Sequence, residues 1–316
     1  MILSCCFVGY LSLRYFAGIQ LQHDVQRWIS APDPWINHNN AIKNHHNGTV
    51  TWFTQGETFN RWKSIGSVLW IYGRRVSQTF LSSTAAHRFR YLSGLRKDCL
   101  LVWDTTAISC IGVLMLLTSS SIIQDIWSMC QTGSATLAFF YFDHQDTAKL
   151  DARSLLSSLL VQLSNQSDRF YETLSTIYKA HAHGSRQPSE DELMQCLRDM
   201  ISQGESPVYI IVDALDECPD STGFASPRAE VLKIFRDLID VSLWKHVHLC
   251  ITSRPEVDIR RVLGRSTHYT VSLDEDGGHR EDIAKYIKSA VHSEREWPEE
   301  DKELVINTLT QDCGGM

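Results

Sequence analysis

Val208–Cys218 reads VYIIVDALDEC. The residues from Val208 to Val212 are hydrophobic without the alternation of a strand that has one wet face, which fits a parallel strand covered on both sides. Asp213 ends the run, and Asp216 and Glu217 follow directly. In open α/β sheets ligands bind at the carboxyl ends of the strands, so strand geometry delivers these acids to the binding edge. A carboxylate there can hold Mg²⁺ against nucleotide phosphates, and a second can orient an attacking water. The bland alternative is a buried strand that happens to run into an acidic loop. Three acids in this register favour the functional origin.

The chain around this strand alternates strand and helix from Ala135 onward. TLAFFYFD (Thr136–Asp143) has strand length and is followed by the helical period of ARSLLSSLLVQLS. EDELMQCLRDMIS puts Leu193, Cys196, Leu197, Met200 and Ile201 on one helical face. PRAEVLKIFRDLIDV, with Pro227 near its start, is a second amphipathic helix. VHLCITSR and HYTVSL read as strands, and HREDIAKYIKSAVHS and PEEDKELVINTLTQD read as helices with acidic first turns. Such alternation predicts an α/β fold, a doubly wound and mainly parallel sheet with helices on both faces, and the acid-ended strand within it resembles the corresponding strand of the P-loop NTPase fold. His248–Pro255 (HLCITSRP) ends in Thr252, Ser253 and Arg254, where a polar residue and an arginine can sense a terminal phosphate. A surface arginine ending a strand is the bland reading; its place one helix after the acidic strand argues for the sensor.

Composition is that of a globular chain: 316 residues, 43% hydrophobic and 21% charged. A net charge of −7 excludes a general nucleic-acid binder. Nine cysteines without CxxC spacing fit a reduced, cytoplasmic protein. MILSCCFVGYLSL at the N-terminus lacks the early basic residue of a signal peptide, and the uncharged run from Thr105 to Ile123 is diluted by Thr, Ser, Gly and Cys. The second run is read as a buried element or an insertion, not a membrane span. Residues 1–65 form a lead-in, a short helix plus an irregular segment, ahead of a main domain at 66–316. His38, His45 and His46 within it have no cysteine or carboxylate at ligand spacing and are read as solvated or hydrogen-bonded.

Ordered blocks then point to a family. WISAPDPWINHNNA, SVLWIYG, SSIIQDI, FFYFD, PVYIIVDALDECPD, LCITSRPEVDI and VSLDEDGGHREDIAKYIKSAVHS resemble the NACHT-type module of large fungal signal-transduction ATPases with numerous domains, which are related to nephrocystin-like N-terminal P-loop domains. The resemblance covers most of Gln22–Met316 apart from about 84–118. It implies a nucleotide-controlled switch that binds and hydrolyses ATP or GTP with Mg²⁺, and that works with other protein domains or by self-association. The nucleotide would be held by the loop Gly73–Thr79, with Gln78 at the lysine position and Thr79 as a metal hydroxyl beside Asp213. Ser253 and Asp213 would face the nucleotide, Asp216 and Glu217 would position water, and Arg254 would sense the γ-phosphate. The chain stops about where the family's further helical and winged-helix parts begin, which suits a fragment.

The phosphate loop departs from the pattern. The family reads G-x-P-G-x-G-K-[ST], whereas here Gly73 is followed by RRVSQ and then Thr79. The glycines let backbone N–H groups converge on phosphate, and the lysine neutralises β- and γ-phosphate charge. Val76 is β-branched and ill-suited to positive φ, and Gln78 carries no charge. FLSST before the surplus segment at about 84–118 and SSSIIQDI after it look like two halves of one helix. The loop has either diverged and acquired an insertion, or the sequence includes translated intron or misplaced exon boundaries; the second accounts for both departures together. As written, binding and turnover should be impaired, with a non-catalytic interaction scaffold as the alternative. Sequencing the mature transcript across codons 68–126 should restore a glycine-rich loop with lysine; a transcript encoding residues 74–121 as written means that the loop is lost.

Overall fold

A computed structural model describes residues 20–43, 50–73, 115–220, 226–239, 246–273 and 278–293, with isolated positions between 298 and 310. The lead-in holds helices α1 (20–29), α2 (Trp35–Lys43), α3 (Thr51–Thr54) and α4 (Glu57–Ile65). Strand β1 (Ser67–Tyr72) is followed, beyond the undescribed stretch, by α5 (115–131) and β2 (Thr136–Tyr141). Helices α6 (Ala152–Ser164), α7 (Asp168–Ala180) and α8 (Glu190–Gln203) lead to β3 (Val208–Asp213). After α9 (Pro227–Ile239) come β4 (Val247–Ser253), α10 (Val257–Ser266), β5 (Tyr269–Ser272) and α11 (Gly278–Ser293).

The five strands form one parallel sheet in the order β2-β3-β4-β1-β5. Side-chain alternation divides the core between its two faces. Val68, Trp70, Phe140, Ile210, Val212, Leu249 and Ile251 face one way, against α1 and α6 to α10. Leu69, Ile71, Phe139, Tyr141, Tyr209, Ile211 and Cys250 face the other, against α3, α4, α5 and α11. The expected α/β architecture with helices on both faces is therefore present.

Local chemistry sets the helix starts. The Asp151 side chain accepts from Ser154 N at 2.8 Å to cap α6, and Ser189 with Glu192 forms a capping box on α8. Gln162 on α6 and Gln166 just past its end also cover part of the exposed edge of β2. Gln162 accepts from Phe139 N at 3.1 Å and donates to Phe139 O at 2.7 Å, and Gln166 does the same for Leu137 at 3.0 and 2.6 Å. These two side-chain amides, four residues apart, meet the edge groups of Leu137 and Phe139 as a neighbouring strand would. The helices α7 and α10 go beyond the sequence reading. Phe170, Leu174 and Tyr178 form the buried stripe of α7.

Among the described residues the lead-in is ordered and packed on the main domain. Trp28 of α1 donates to Arg186 O at 2.7 Å on one face, while Phe53, Phe59 and Trp62 are buried on the other. Gly184, at φ +85, sits so close to α1 that a Cβ would meet the Tyr178 ring at 2.7 Å and Trp28 at 3.1 Å. Among the described residues no helix is long and apolar enough to cross a membrane. The apolar run at 105–123 reaches the described chain at residue 115, and from there it forms the buried start of α5.

Trp62 is fully buried, donates to Ser67 O at 3.1 Å, and meets Tyr209 and His248 edge-on. Its replacement by alanine removes a large side chain from a packed layer, so Trp62→Ala should lower the unfolding free energy by about 3–5 kcal/mol in urea titration.

Candidate functional site

The carboxyl ends of β1, β4 and β3 lie side by side, with Tyr72 opposite Ser253 and Val212 opposite Ile251. Asp213 stands at the end of β3 on the face covered by α5. Its Oδ1 accepts from Thr252 Oγ1 at 2.6 Å and from Ser119 Oγ of α5. Thr252 Oγ1 accepts in turn from Ala214 N at 3.0 Å. Ala214 adopts left-handed backbone angles, φ 54 and ψ 44, and so turns the chain sharply out of the strand. The acids that follow lie on the resulting single turn, Leu215–Glu217.

Burial raises the Asp213 carboxyl to about 6, the two hydroxyl donors working against the shift and the charges of Glu217 and Asp216 adding to it. The same environment, together with the Asp213 charge, pushes the Tyr141 phenol upward. Tyr141 pairs with Asp213 across β2 and β3 and lies 3.0 Å from His38 Nδ1. His38 of the lead-in is thus hydrogen-bonded as expected, and burial lowers it to about 4. His45 and His46 lie outside the described residues.

Asp216 and Arg254 form a two-point clasp. Arg254 N donates to Asp216 Oδ1 at 2.8 Å, and Arg254 Nε reaches Oδ2 at 2.5 Å. Arg228 of α9 fixes the loop from behind, donating to the carbonyls of Asp216 and Cys218 at 2.8 Å each. Glu217 points the other way, towards β2, where its Oε2 accepts from His144 N at 3.1 Å and lies 2.9 Å from His144 Nδ1. Three of the expected residues, Asp213, Asp216 and Arg254, therefore gather at one rim, with Glu217 beside them. Ser253 is turned to the opposite face, where its Oγ accepts from Trp70 Nε1 at 2.9 Å. Gly73 follows β1 and is buried, whereas Gln78 and Thr79 lie outside the described residues.

Sequence reasoning singled out neither Ser119 nor His144 nor Asn37. Ser119 sits in SSSIIQDI, but its bond to Asp213 needs α5 laid across the sheet. Asn37 of α2 donates to Asp143 Oδ2 at 2.9 Å and accepts from the buried Lys149 ammonium. A cavity of about 620 Å³, lined in part by Trp127, Thr136, Gln166, Arg169 and Ser206, opens at the opposite, amino-terminal end of β2 and takes no part in this arrangement.

Residues 116–254 match the family described as Nephrocystin 3, N-terminal. The match runs from the start of α5 to Arg254 and takes in β2, β3 and β4 with all the rim acids. It leaves β1 and Gly73 outside. No curated protein matches the chain.

The described residues meet the requirements of a Mg²⁺–nucleotide site only in part. Asp213 stands at the right edge, but its Oδ1 already takes two hydroxyl donors from the fold, and no phosphate-binding loop is among the described residues.

The Asp213 shift has a definite sign. Its folded pKa of about 6 lies above the ordinary 3.8, so the folded state binds the proton more tightly. This group's contribution is then most favourable below the ordinary value and is lost as pH rises through 6, a change of about 3 kcal/mol. Thermal melts from pH 4 to 7 should show this loss in the parent relative to Asp213→Asn, with the variant no less stable than the parent at pH 7.

Proposed function

We propose that this chain is a NACHT-type signalling module whose ancestral work is the binding and hydrolysis of ATP or GTP, with a degenerate phosphate loop that impairs both steps. The observation that carries the reading is the convergence of Asp213, Asp216 and Arg254 at the carboxyl edge of a parallel sheet, beside the end of β1. That edge is where α/β sheets bind ligands. When bound, Mg²⁺ neutralises phosphate charge there. In an intact relative, the position of Asp213 would hold that ion, and those of Asp216 and Glu217 would steer water.

The chain's own residues do something narrower. The main-chain N–H of Arg254 and its guanidinium hold Asp216, so the arginine that would sense a γ-phosphate is engaged by an acid of the same rim. Ser119 and Thr252 occupy Asp213 in the same way. This internal pairing also favours the second reading, a scaffold that keeps the fold and works through other protein domains or self-association without a nucleotide cycle.

Thermal melts with Mg-ATP and with Mg-GTP separate the two. A ligand at a hundredfold excess over its Kd stabilises by about 2.7 kcal/mol. The chain as written should show no shift, and a variant carrying a restored glycine-rich loop with Gln78→Lys should show one. A shift in the parent would mean that binding is not impaired; none in the restored variant would leave the scaffold.

A further inference from the structure

We propose a divalent-cation site, separate from Asp213, formed by Asp143, His144 and Glu217. The three offer ligand atoms that all lie within 4.8 Å of one another. They come from adjacent strands: Asp143 and His144 follow β2, and Glu217 ends the turn after β3. One imidazole and two carboxylates form a mixed nitrogen and oxygen set of the kind that suits a divalent transition-metal ion, and the two carboxylates cancel its charge.

The nearby acids Asp216 and Asp146 are each paired with a fixed cation, Asp216 with Arg254 and Asp146 with Lys149 at 3.2 Å. Among the described residues, neither Asp143 nor Glu217 has a lysine or arginine at ion-pair distance; the one basic group on Glu217 is His144. Two neighbouring carboxylates without a fixed cation leave a negative spot that a metal ion can fill.

The ligands are also oriented from outside the cluster. Asn37 of the lead-in donates to Asp143 Oδ2 and is itself held by the buried Lys149. The Gln145 N–H fixes Asp143 Oδ1 at 3.0 Å. Such supporting bonds aim ligating carboxylates in metal sites. A cation here takes the place of the proton between His144 Nδ1 and Glu217 Oε2. Since the His144 side chain is 64% exposed, positions remain open for water or a ligand oxygen.

The site does not rest on nucleotide binding, so the test omits nucleotide. Mn²⁺ is the probe, because it favours oxygen and nitrogen ligands over the chain's cysteines. Titrating the full chain and following the loss of the free Mn²⁺ paramagnetic resonance signal should reveal one saturable site, and pulsed spectra of the bound ion should show hyperfine coupling to a nitrogen. His144→Ala, at an exposed position, should abolish that coupling and weaken binding at least tenfold. Asp143→Asn and Glu217→Gln should remove saturable binding, and Asn37→Ala should weaken it about tenfold. His268→Ala, at another exposed histidine, should change nothing. Absence of saturable binding, binding without nitrogen coupling, or binding that survives both His144→Ala and Glu217→Gln overturns the site.

Discussion

Asp213 lies at the end of a strand whose two faces are both covered, and a carboxylate in that position needs donors or must keep its proton. The protein supplies two hydroxyls, one from the neighbouring strand and one from the helix laid across it. Thr252 is available only because β4 lies next to β3 in parallel register, and Ser119 only because α5 crosses the same face. A buried polar group left without such partners costs several times what a hydrogen bond contributes, so this acid constrains β3, β4 and α5 together. Even with the donors, burial dominates and the carboxyl titrates near 6.

The sheet's coverage follows a similar logic. An all-parallel sheet has two apolar faces and two edges. Helices α1 and α6 to α10 close one face; α3, α4, α5 and α11 close the other. At the β2 edge, Gln162 and Gln166 meet the backbone groups that a further strand would have met. The lead-in is thus part of the core rather than an appendage. Through Asn37 and His38 it reaches the residues next to two of the rim acids.

The rim acids divide by environment. Asp213 is sealed by hydroxyls, Asp216 by an arginine, and Glu217 faces outward to a histidine and a second carboxylate. Three acids that look equivalent along the chain therefore have three different chemistries. The first two are held by partners within the fold, Asp213 by Ser119 and Thr252 and Asp216 by Arg254. The outward-facing group is the one open to a new partner.

Much of this was legible in the residues alone. Apolar runs at Val208–Val212 and Leu249–Ile251, separated by an amphipathic helix, determined a buried parallel sheet, and strand direction alone placed Asp213, Asp216 and Arg254 at one rim. The α7 and α10 helices were missed although their apolar residues, such as Phe170, Leu174 and Tyr178, recur at helical spacing and could have shown them. The particular contacts that hold the lead-in were not legible, because they join residues more than a hundred positions apart, such as Trp28 with Arg186 and Asn37 with Asp143. Periodicity is a local signal and determined where strands and helices form and which way they run. Only the tertiary structure decided which polar atoms meet. Ser253 faces the core rather than the rim, Ser119 caps Asp213, and His144 holds Glu217, because each of these depends on the sheet order and on how loops cross it.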